Sequence, residues 1–305
     1  MDSRNTALAL GGGGARGLAH LGVIESLLDA EISINRIVGV SIGSLAGAMY
    51  AFHPEIHSCQ EVALEYLLSE GFQRHQKIMF GAQNSDGAAE TTGGVFAWYS
   101  RAKGYLRANR IFHRVISHPS LLPGIVMRDV VDNLLPDADI ADVEIHLSIV
   151  AADLRSGHKV ILERGSVREA VRASSALPGI FPPVEFEGML LSDVGVFYSL
   201  PTTVARSYGL HQVIAVDVSS DMRRIQNCGT ALDVLMRMDE IGESLFRKQV
   251  RDAADLVIRP DVSGIQWFDF SLPKELIETG REAGREALRS WDESADAQSR
   301  IAPPV

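Results

Sequence analysis

Apolar residues along this chain come in short runs set between longer stretches of helical spacing. The first run, "TALAL" at 6–10, is halted by four glycines, as expected of a buried strand. In "GLAHLGVIESLLDA" the residues Leu18, Leu21, Ile24, Leu27 and Leu28 recur at helical intervals. "INRIVGV" at 34–40 reads as a second strand and "IGSLAGAMYAF" at 42–52 as a second helix. A strand–helix–strand–helix opening predicts a parallel sheet covered by helices.

From about 54 to 128 the pattern is irregular, and the polar, glycine-rich stretch "GAQNSDGAAETTGG" has the composition of a mobile loop. Alternation then resumes. Strands are predicted at "VEIHLSIVAADL", "HKVILE", "GMLLSDVG", "HQVIAVDVS" and "DLVIRP". Helices are predicted at "SVREAVRASSA", "LPTTVARSYG", "ALDVLMRMDEIGESLFRKQVRDA" and "PKELIETGREAGREALRSW". No internal repeat and no linker divides the sequence. The expectation is one α/β domain over 5–260 with an inserted cap at about 54–128. A helical extension over 261–292 would pack on the same domain, and 293–305 would be a flexible tail.

With 46% hydrophobic and 22% charged residues in 305 positions, the chain can bury a large core. Its formal net charge of −10 argues against nucleic acid as a partner and against adsorption of the whole molecule on anionic membranes. Two cysteines, Cys59 and Cys228, have neither metal-site nor disulfide spacing and fit free thiols in a reducing compartment. No secretory leader opens the sequence and no run approaches about 18 apolar residues, so a soluble, cytoplasmic protein is expected.

Candidate chemistry concentrates at the ends of the first two strands. Gly39-Val40-Ser41-Ile42-Gly43 sets a serine between glycines where strand gives way to helix, the context of a nucleophile elbow. Small flanking residues allow the tight turn, and the helix N-terminus beneath Ser41 favours a developing alkoxide. The plainer reading is that Gly43 and Gly47 only permit close helix packing. The run "GGGGARG" at 11–17 also satisfies G-x-G-x-x-G through Gly12, Gly14 and Gly17. A dinucleotide site would need an acidic residue at the end of the second strand, where Ser41 stands instead. A phosphate-binding P-loop would need Gly-Lys-Ser/Thr, which is absent. What remains is a loop of unobstructed backbone N–H donors at the same sheet edge as Ser41, suited to an oxyanion hole.

A triad in the order Ser, Asp/Glu, His would need a late histidine. Only His211 qualifies, and it opens a predicted strand at the wrong end of a parallel sheet. His20 lies one turn beyond the glycine run and reads better as a packed helix residue. His146 and His158 have no useful partner. Asp193, delivered to the carboxyl end of "MLLSD", is chemically able to act as the base, because burial raises a carboxylate's pKa. The same aspartate also reads as a turn former.

Four motifs together resemble the patatin-like phospholipase family. "GGGARG" is similar to its glycine-rich oxyanion motif, "GVSIGS" to its nucleophile elbow, "RASSALPGIFPPV" to its central signature, and "LLSDVGV" to the strand carrying its catalytic aspartate. Order and spacing match from Ala7 to about Arg259. The resemblance implies a three-layer α/β sandwich with a mostly parallel central sheet. It further implies a calcium-independent, cofactor-free hydrolase of lipid acyl esters, of phospholipase A or lysophospholipase type. By the same resemblance Ser41 is the nucleophile, Asp193 the base, and the amides of Gly12, Gly13 and Gly14 the oxyanion donors. Arg16, Gly39, Gly43 and Gly195 would support them. The chain departs from the family in Asp193-Val194-Gly195, where Asp-Gly-Gly or Asp-Gly-Ala is usual, and in lacking an asparagine in "VFYSLP". If position 194 needs a positive φ, a β-branched valine there would be strained. A patatin-fold regulatory or interaction protein with a weakened site is one alternative, and an acyltransferase is another.

Between Glu90 and Asp129 no acidic residue occurs. Arg101, Lys103, Arg107, Arg110, Arg114 and Arg128 are interleaved there with Phe96, Trp98, Tyr99, Tyr105 and Phe112. This reversal of charge is consistent with peripheral contact of 96–114 with anionic headgroups at the inner membrane surface. A helical insert with core aromatics and paired cations is the other reading. The expected partner is a lipid or lysolipid ester substrate.

Overall fold

Strand β1 (Thr6–Leu10) is buried at all five positions, with Leu8 and Leu10 in one core cluster and Ala7 and Ala9 in another. That is the two-residue period of a strand covered on both faces. The same division runs through β2 (Ile34–Val40), with Ile37 on one side and Val38 and Val40 on the other. It continues in β3 (His146–Asp153), where Ile149 and Val150 part in the same way. The remaining strands are β4 (His158–Leu162), β5 (Val184–Phe186), β6 (Met189–Ser192), β7 (Gln212–Val216) and β8 (Leu256–Ile258). They form an eight-stranded sheet of order β5-β6-β3-β2-β1-β7-β8, with β4 paired to β3. Strands β3, β2, β1, β7 and β8 are parallel, whereas β4 and β6 run antiparallel to β3, and β5 to β6.

This computed structural model describes residues 5–80, 120, 122–195, 197–222, 224–225, 227–229 and 231–301. The glycine-rich stretch at 81–94 and the basic, aromatic stretch at 96–114 lie outside the described residues. Helices α1 (Ala19–Asp29), α2 (Ile42–Phe52), α3 (Ile56–Leu68), α4 (Glu70–Phe80), α5 (Ile125–Leu134) and α6 (Val167–Ser174) contribute to the core on the Leu8 face. Helices α7 (Thr202–Ser207) and α8 (Ala231–Arg251) reach the Ala9 face through Val204, Ala205 and Val250. Helix α9 (Pro273–Ile301) returns to the first face with Leu276, Ile277 and Leu288. The result is a mixed α/β fold with a mostly parallel central sheet flanked by helices.

Three parts differ from the expectation. The region read as irregular over 54–128 contains α3, α4 and α5; in α3 the buried Ile56, Cys59, Ala63 and Leu67 fall on one stripe that its polar neighbours disguise. Strand β5 was not anticipated after the Pro182-Pro183 pair. It forms a hairpin with β6 through Glu187 and Gly188, both at positive φ, as a tight two-residue hairpin turn requires. The tail read as flexible from 293 is helical as far as Ile301.

Helix α9 is held on α1 by charge as well as by apolar contact. The Arg281 guanidinium donates to Glu25 at 2.8 Å, and Gln60 of α3 donates to the same carboxylate oxygen at 2.7 Å. Glu25 is 8% exposed, so removing the cation leaves a buried carboxylate short of its charged partner. Arg281→Met is expected to lower the unfolding free energy by about 2 kcal/mol, read as a lower urea midpoint; an unchanged midpoint would count against the clasp.

Candidate active site

Ser41 joins β2 to α2 at φ 53° and ψ −126°, a conformation that side chains other than glycine rarely adopt. Holding it costs on the order of 1–3 kcal/mol, which surrounding contacts must offset. Its N–H donates to Ser174 Oγ at 2.8 Å, and that hydroxyl in turn donates to the Val150 carbonyl at 2.7 Å. The Ser41 carbonyl accepts from the Ser44 amide at 2.8 Å and from the Ser44 hydroxyl at 2.6 Å. Gly43 is required by close approach: a Cβ there would sit 2.3 Å from the Leu10 carbonyl oxygen. Gly39 passes the backbone of Ser44 just as closely, at 2.5 Å to its Cα. Ser174 is fully buried, so Ser174→Ala is expected to orphan the Ser41 amide and cost about 1–2 kcal/mol. Thermal denaturation would read this, and a Thr variant that keeps the hydroxyl should recover most of the loss.

Strand register carries Asp193 to the same point. Val40 pairs with Val150, and Ser192 pairs with Ala152 two residues further along the same edge of β3, because β4 holds the other edge. The chain leaving β6, antiparallel to β3, therefore runs toward the end of β2, where a Cβ on Gly195 would lie 3.5 Å from Val40 Cγ1. Asp193 is 3% exposed, accepts from Gly195 N–H at 2.6 Å, and lies close enough to the Ser41 side chain for it to pull the carboxyl down. Burial pushes its carboxyl up to about 6, against the opposing pull of the Ser41 side chain and the Gly195 amide. Val194 is not at positive φ; the described non-glycine residues there are Glu31, Ser41 and Glu187. Its side chain is wholly buried with Ala9, Val38 and Val40, so the strain considered for this position does not arise.

The glycine loop bends over Ser41. A Cβ on Gly12 would lie 3.5 Å from Ser41 Cβ, but the Gly12 N–H is given to the Ser199 carbonyl at 2.8 Å. The N–H groups of Gly13 and Gly14 have no hydrogen-bond partner among the described residues. Gly14 has φ 61°, and a Cβ on it would meet the Trp267 carbonyl oxygen at 2.1 Å, so only glycine fits. Arg16 is 8% exposed and donates from Nε to the Gly13 carbonyl at 3.1 Å. Burial, then the neighbouring Arg247, lower its pKa to about 10, which leaves it charged at neutral pH. The fully buried His20 donates from Nε2 to the Gly11 carbonyl at 2.8 Å, and burial holds its pKa at about 4. His20 is thus a neutral tie for the loop. His211 stands just before β7, at the amino end of the parallel strands and opposite to Ser41.

Ser41 and Asp193 line a cavity of about 320 Å³ with Gly12, Gly13, Gly14 and Arg16. One wall is apolar, built from Leu45, Met49, Leu67, Val130, Phe181 and Phe270. The other carries Ser199, Arg237, Glu240, Glu243 and Arg247. Among the described residues no histidine lines it. The structure brings Ser41, Asp193 and Gly12, Gly13 and Gly14, which the sequence singled out, to one cavity, and adds contacts of Ser174, Ser199, Glu243 and Arg247 that the sequence did not suggest. Ser174 lies inside the quoted "RASSALPGIFPPV", so its signal was present without a role. Glu243 and Arg247 sit in the predicted helix "ALDVLMRMDEIGESLFRKQVRDA", where nothing local marks them as buried partners.

A family model described as Patatin-like phospholipase matches residues 8–206. The chain is 30% identical over 271 residues to patatin-like phospholipase domain-containing protein 6 of Homo sapiens, covering 87% of this chain and 16% of that protein. It is 28% identical over 311 aligned positions to an uncharacterized NTE family protein of Mycobacterium tuberculosis, covering 94% of this chain and 47% of that one. VipD from Legionella pneumophila superposes with a TM-score of 0.48 at 13% identity, over 95% of this chain and 67% of VipD. The chain thus spans less than half the length of either curated relative. The match over 8–206, on a sheet that brings all four sequence motifs to one edge, makes this chain a member of the patatin-like phospholipase family.

Proposed function

We propose that the chain hydrolyses carboxylic esters of lipids, of phospholipase A or lysophospholipase type, with Ser41 as nucleophile and Asp193 as its base. The observation that carries this reading is a buried carboxylate, Asp193, lining the same cavity as Ser41, a cavity that no described histidine enters. A serine hydroxyl needs an adjacent base before it attacks. The Asp193 carboxylate is raised toward neutrality by burial and shares the cavity with the Ser41 hydroxyl.

In the first half-reaction Ser41 Oγ bonds to the ester carbonyl carbon as its proton passes to Asp193. The carbonyl oxygen becomes an oxyanion, and the free amides of Gly13 and Gly14 receive it, worth about 3–4 kcal/mol per well-aimed donor. Gly12 takes no oxyanion in this scheme, because its N–H is committed to Ser199. Collapse breaks the bond to the alcohol oxygen, which leaves with the proton from Asp193. Water then attacks the acyl-Ser41 carbonyl and gives a proton to Asp193; as the fatty acid leaves, that proton returns to Ser41. The apolar wall of Leu45, Met49, Leu67 and Phe181 suits an acyl chain, and the cavity falls in the size range of ligand pockets.

Purified protein is to be assayed on p-nitrophenyl esters and lysophospholipid beside Ser41→Ala. Turnover by the wild type and its loss in Ser41→Ala support the reading. Equal rates for the two proteins would end it.

A further inference from the structure

Behind the glycine loop runs a chain of buried polar contacts that the reaction scheme leaves unused. The Ser199 carbonyl accepts the Gly12 amide, while the Ser199 hydroxyl donates to Glu243 Oε1. Glu243 receives the Arg247 guanidinium at 2.9 and 3.0 Å, and Arg247 Nε lies 3.8 Å from Asp217 Oδ2. Asp217 also binds Arg251 and Ser219, and its own amide donates to the Ile258 carbonyl at 2.9 Å. Between Asp217 and Ser219 stands Val218, against which Gly13 rests so closely that a Cβ would meet Val218 Cγ2 at 2.7 Å. The arch therefore touches the loop twice, at Gly12 through Ser199 and at Gly13 through Val218.

Burying this many charges is costly, and the buried Arg247 Nε makes no hydrogen bond among the described residues. Arg247 is 5% exposed and Asp217 2%. Burial pushes Glu243 up from its ordinary value. For Asp217 the burial effect is outweighed by Arg247, Ser219 and Arg251, which hold its carboxyl down. The core on this face could have been apolar, as Val204 and Val250 nearby show. Replacing such an ion pair by apolar residues is often neutral or stabilising, so stability alone gives this arrangement little reason to exist.

We infer that Glu243 is a positioning residue for the reaction proposed above, fixing the Gly13 and Gly14 amides through Ser199 on one side and through Arg247, Asp217 and Val218 on the other. Oxyanion donors act through preorganised distance and direction, and an error of about 1 Å is enough to cost on the order of 100-fold in rate. Ser199, Glu243 and Arg247 line the polar side of the cavity, apart from the apolar residues suited to an acyl chain, so the larger loss is expected in the transition state.

The test compares Ser199→Ala, Glu243→Gln and the double variant with wild type on p-nitrophenyl butyrate, with a trifluoromethyl ketone as reversible oxyanion-forming inhibitor. The expected result is a fall in kcat of about 10–100-fold for each single variant, with KM within about twofold. The inhibition constant should rise by the same factor as kcat/KM falls, because the ketone adduct uses the same two amides. The double variant should be no worse than the weaker single one, since both break one linkage. Folded variants with unchanged kcat would overturn the inference, as would a double loss equal to the product of the single losses. Ser199→Ala removes one oxygen and leaves the carbonyl bond to Gly12, so it carries the test if Glu243→Gln fails to fold. Ser41-dependent turnover in the wild type with intact kcat in both variants would sink the arch alone. Turnover that survives Ser41→Ala would remove both readings.

Discussion

Asp193→Asn is expected to cut kcat on a short-chain ester by about 10³–10⁴-fold while the protein stays folded and gains stability. Asparagine keeps the acceptor oxygen for Gly195 N–H and can still meet Ser41, but it cannot take the proton. The gain in stability follows from the direction of the pKa shift. Burial raises the Asp193 carboxyl from the ordinary 3.8 to about 6 in the folded protein. Between those values the native state holds a proton that the unfolded state has lost, so stability falls as pH rises through the window. Above it the buried carboxylate costs on the order of 2–3 kcal/mol, which the neutral amide would recover. Urea unfolding at about pH 8 should therefore give a higher midpoint for the variant, whereas at pH values well below 4 the two proteins converge. Loss of activity together with loss of stability would point to misfolding and contradict this account. Wild-type kcat should climb as pH rises, with its midpoint near 6.

Gly43→Ala is the second large effect, and it should damage fold and turnover together. Its Cβ would fall 2.3 Å from the Leu10 carbonyl oxygen and 2.7 Å from that of Gly11. Both are backbone atoms at the point where β1 passes into the glycine loop, so no side chain can move aside to relieve the clash. Parting β1 from α2 moves the Gly13 and Gly14 amides away from Ser41 at the same time. The expected cost is about 3 kcal/mol in stability and at least about 100-fold in kcat/KM. Thermal unfolding and steady-state kinetics on one preparation would read both. A variant with wild-type kinetics would mean that the two segments are not fitted to each other as described.

Much of this was legible because each feature leaves a local mark. A strand buried on both faces must be apolar throughout, as "TALAL" and "INRIVGV" are. A serine forced to φ 53° needs small neighbours, and Gly39 and Gly43 supply them. What escaped depends on pairing across the chain. Glu243 and Arg247 form an i,i+4 pair that resembles any solvated helix face, and nothing local says that Ser199 and Asp217 will meet them. The commitment of the Gly12 amide to Ser199 is likewise a contact over 187 positions, invisible to spacing. The strand β5 was hidden by two prolines and by a turn in which Glu187, not only glycine, takes a positive φ. For Val194 the sequence raised the right question, and the backbone answers it: the turn after Asp193 runs without a positive φ at that residue.

The central claim is that Ser41 loses its proton to Asp193, with no histidine involved. Rapid-quench measurement of acyl-Ser41 formation from a p-nitrophenyl ester, between about pH 4 and pH 9, tests it most directly. The account predicts one acyl group, located on Ser41 by peptide mass, forming at a rate that rises once with a midpoint near pH 6 and is lost in Asp193→Asn. An acyl group on another residue, or a rate and pH profile unchanged by Asp193→Asn, would contradict it.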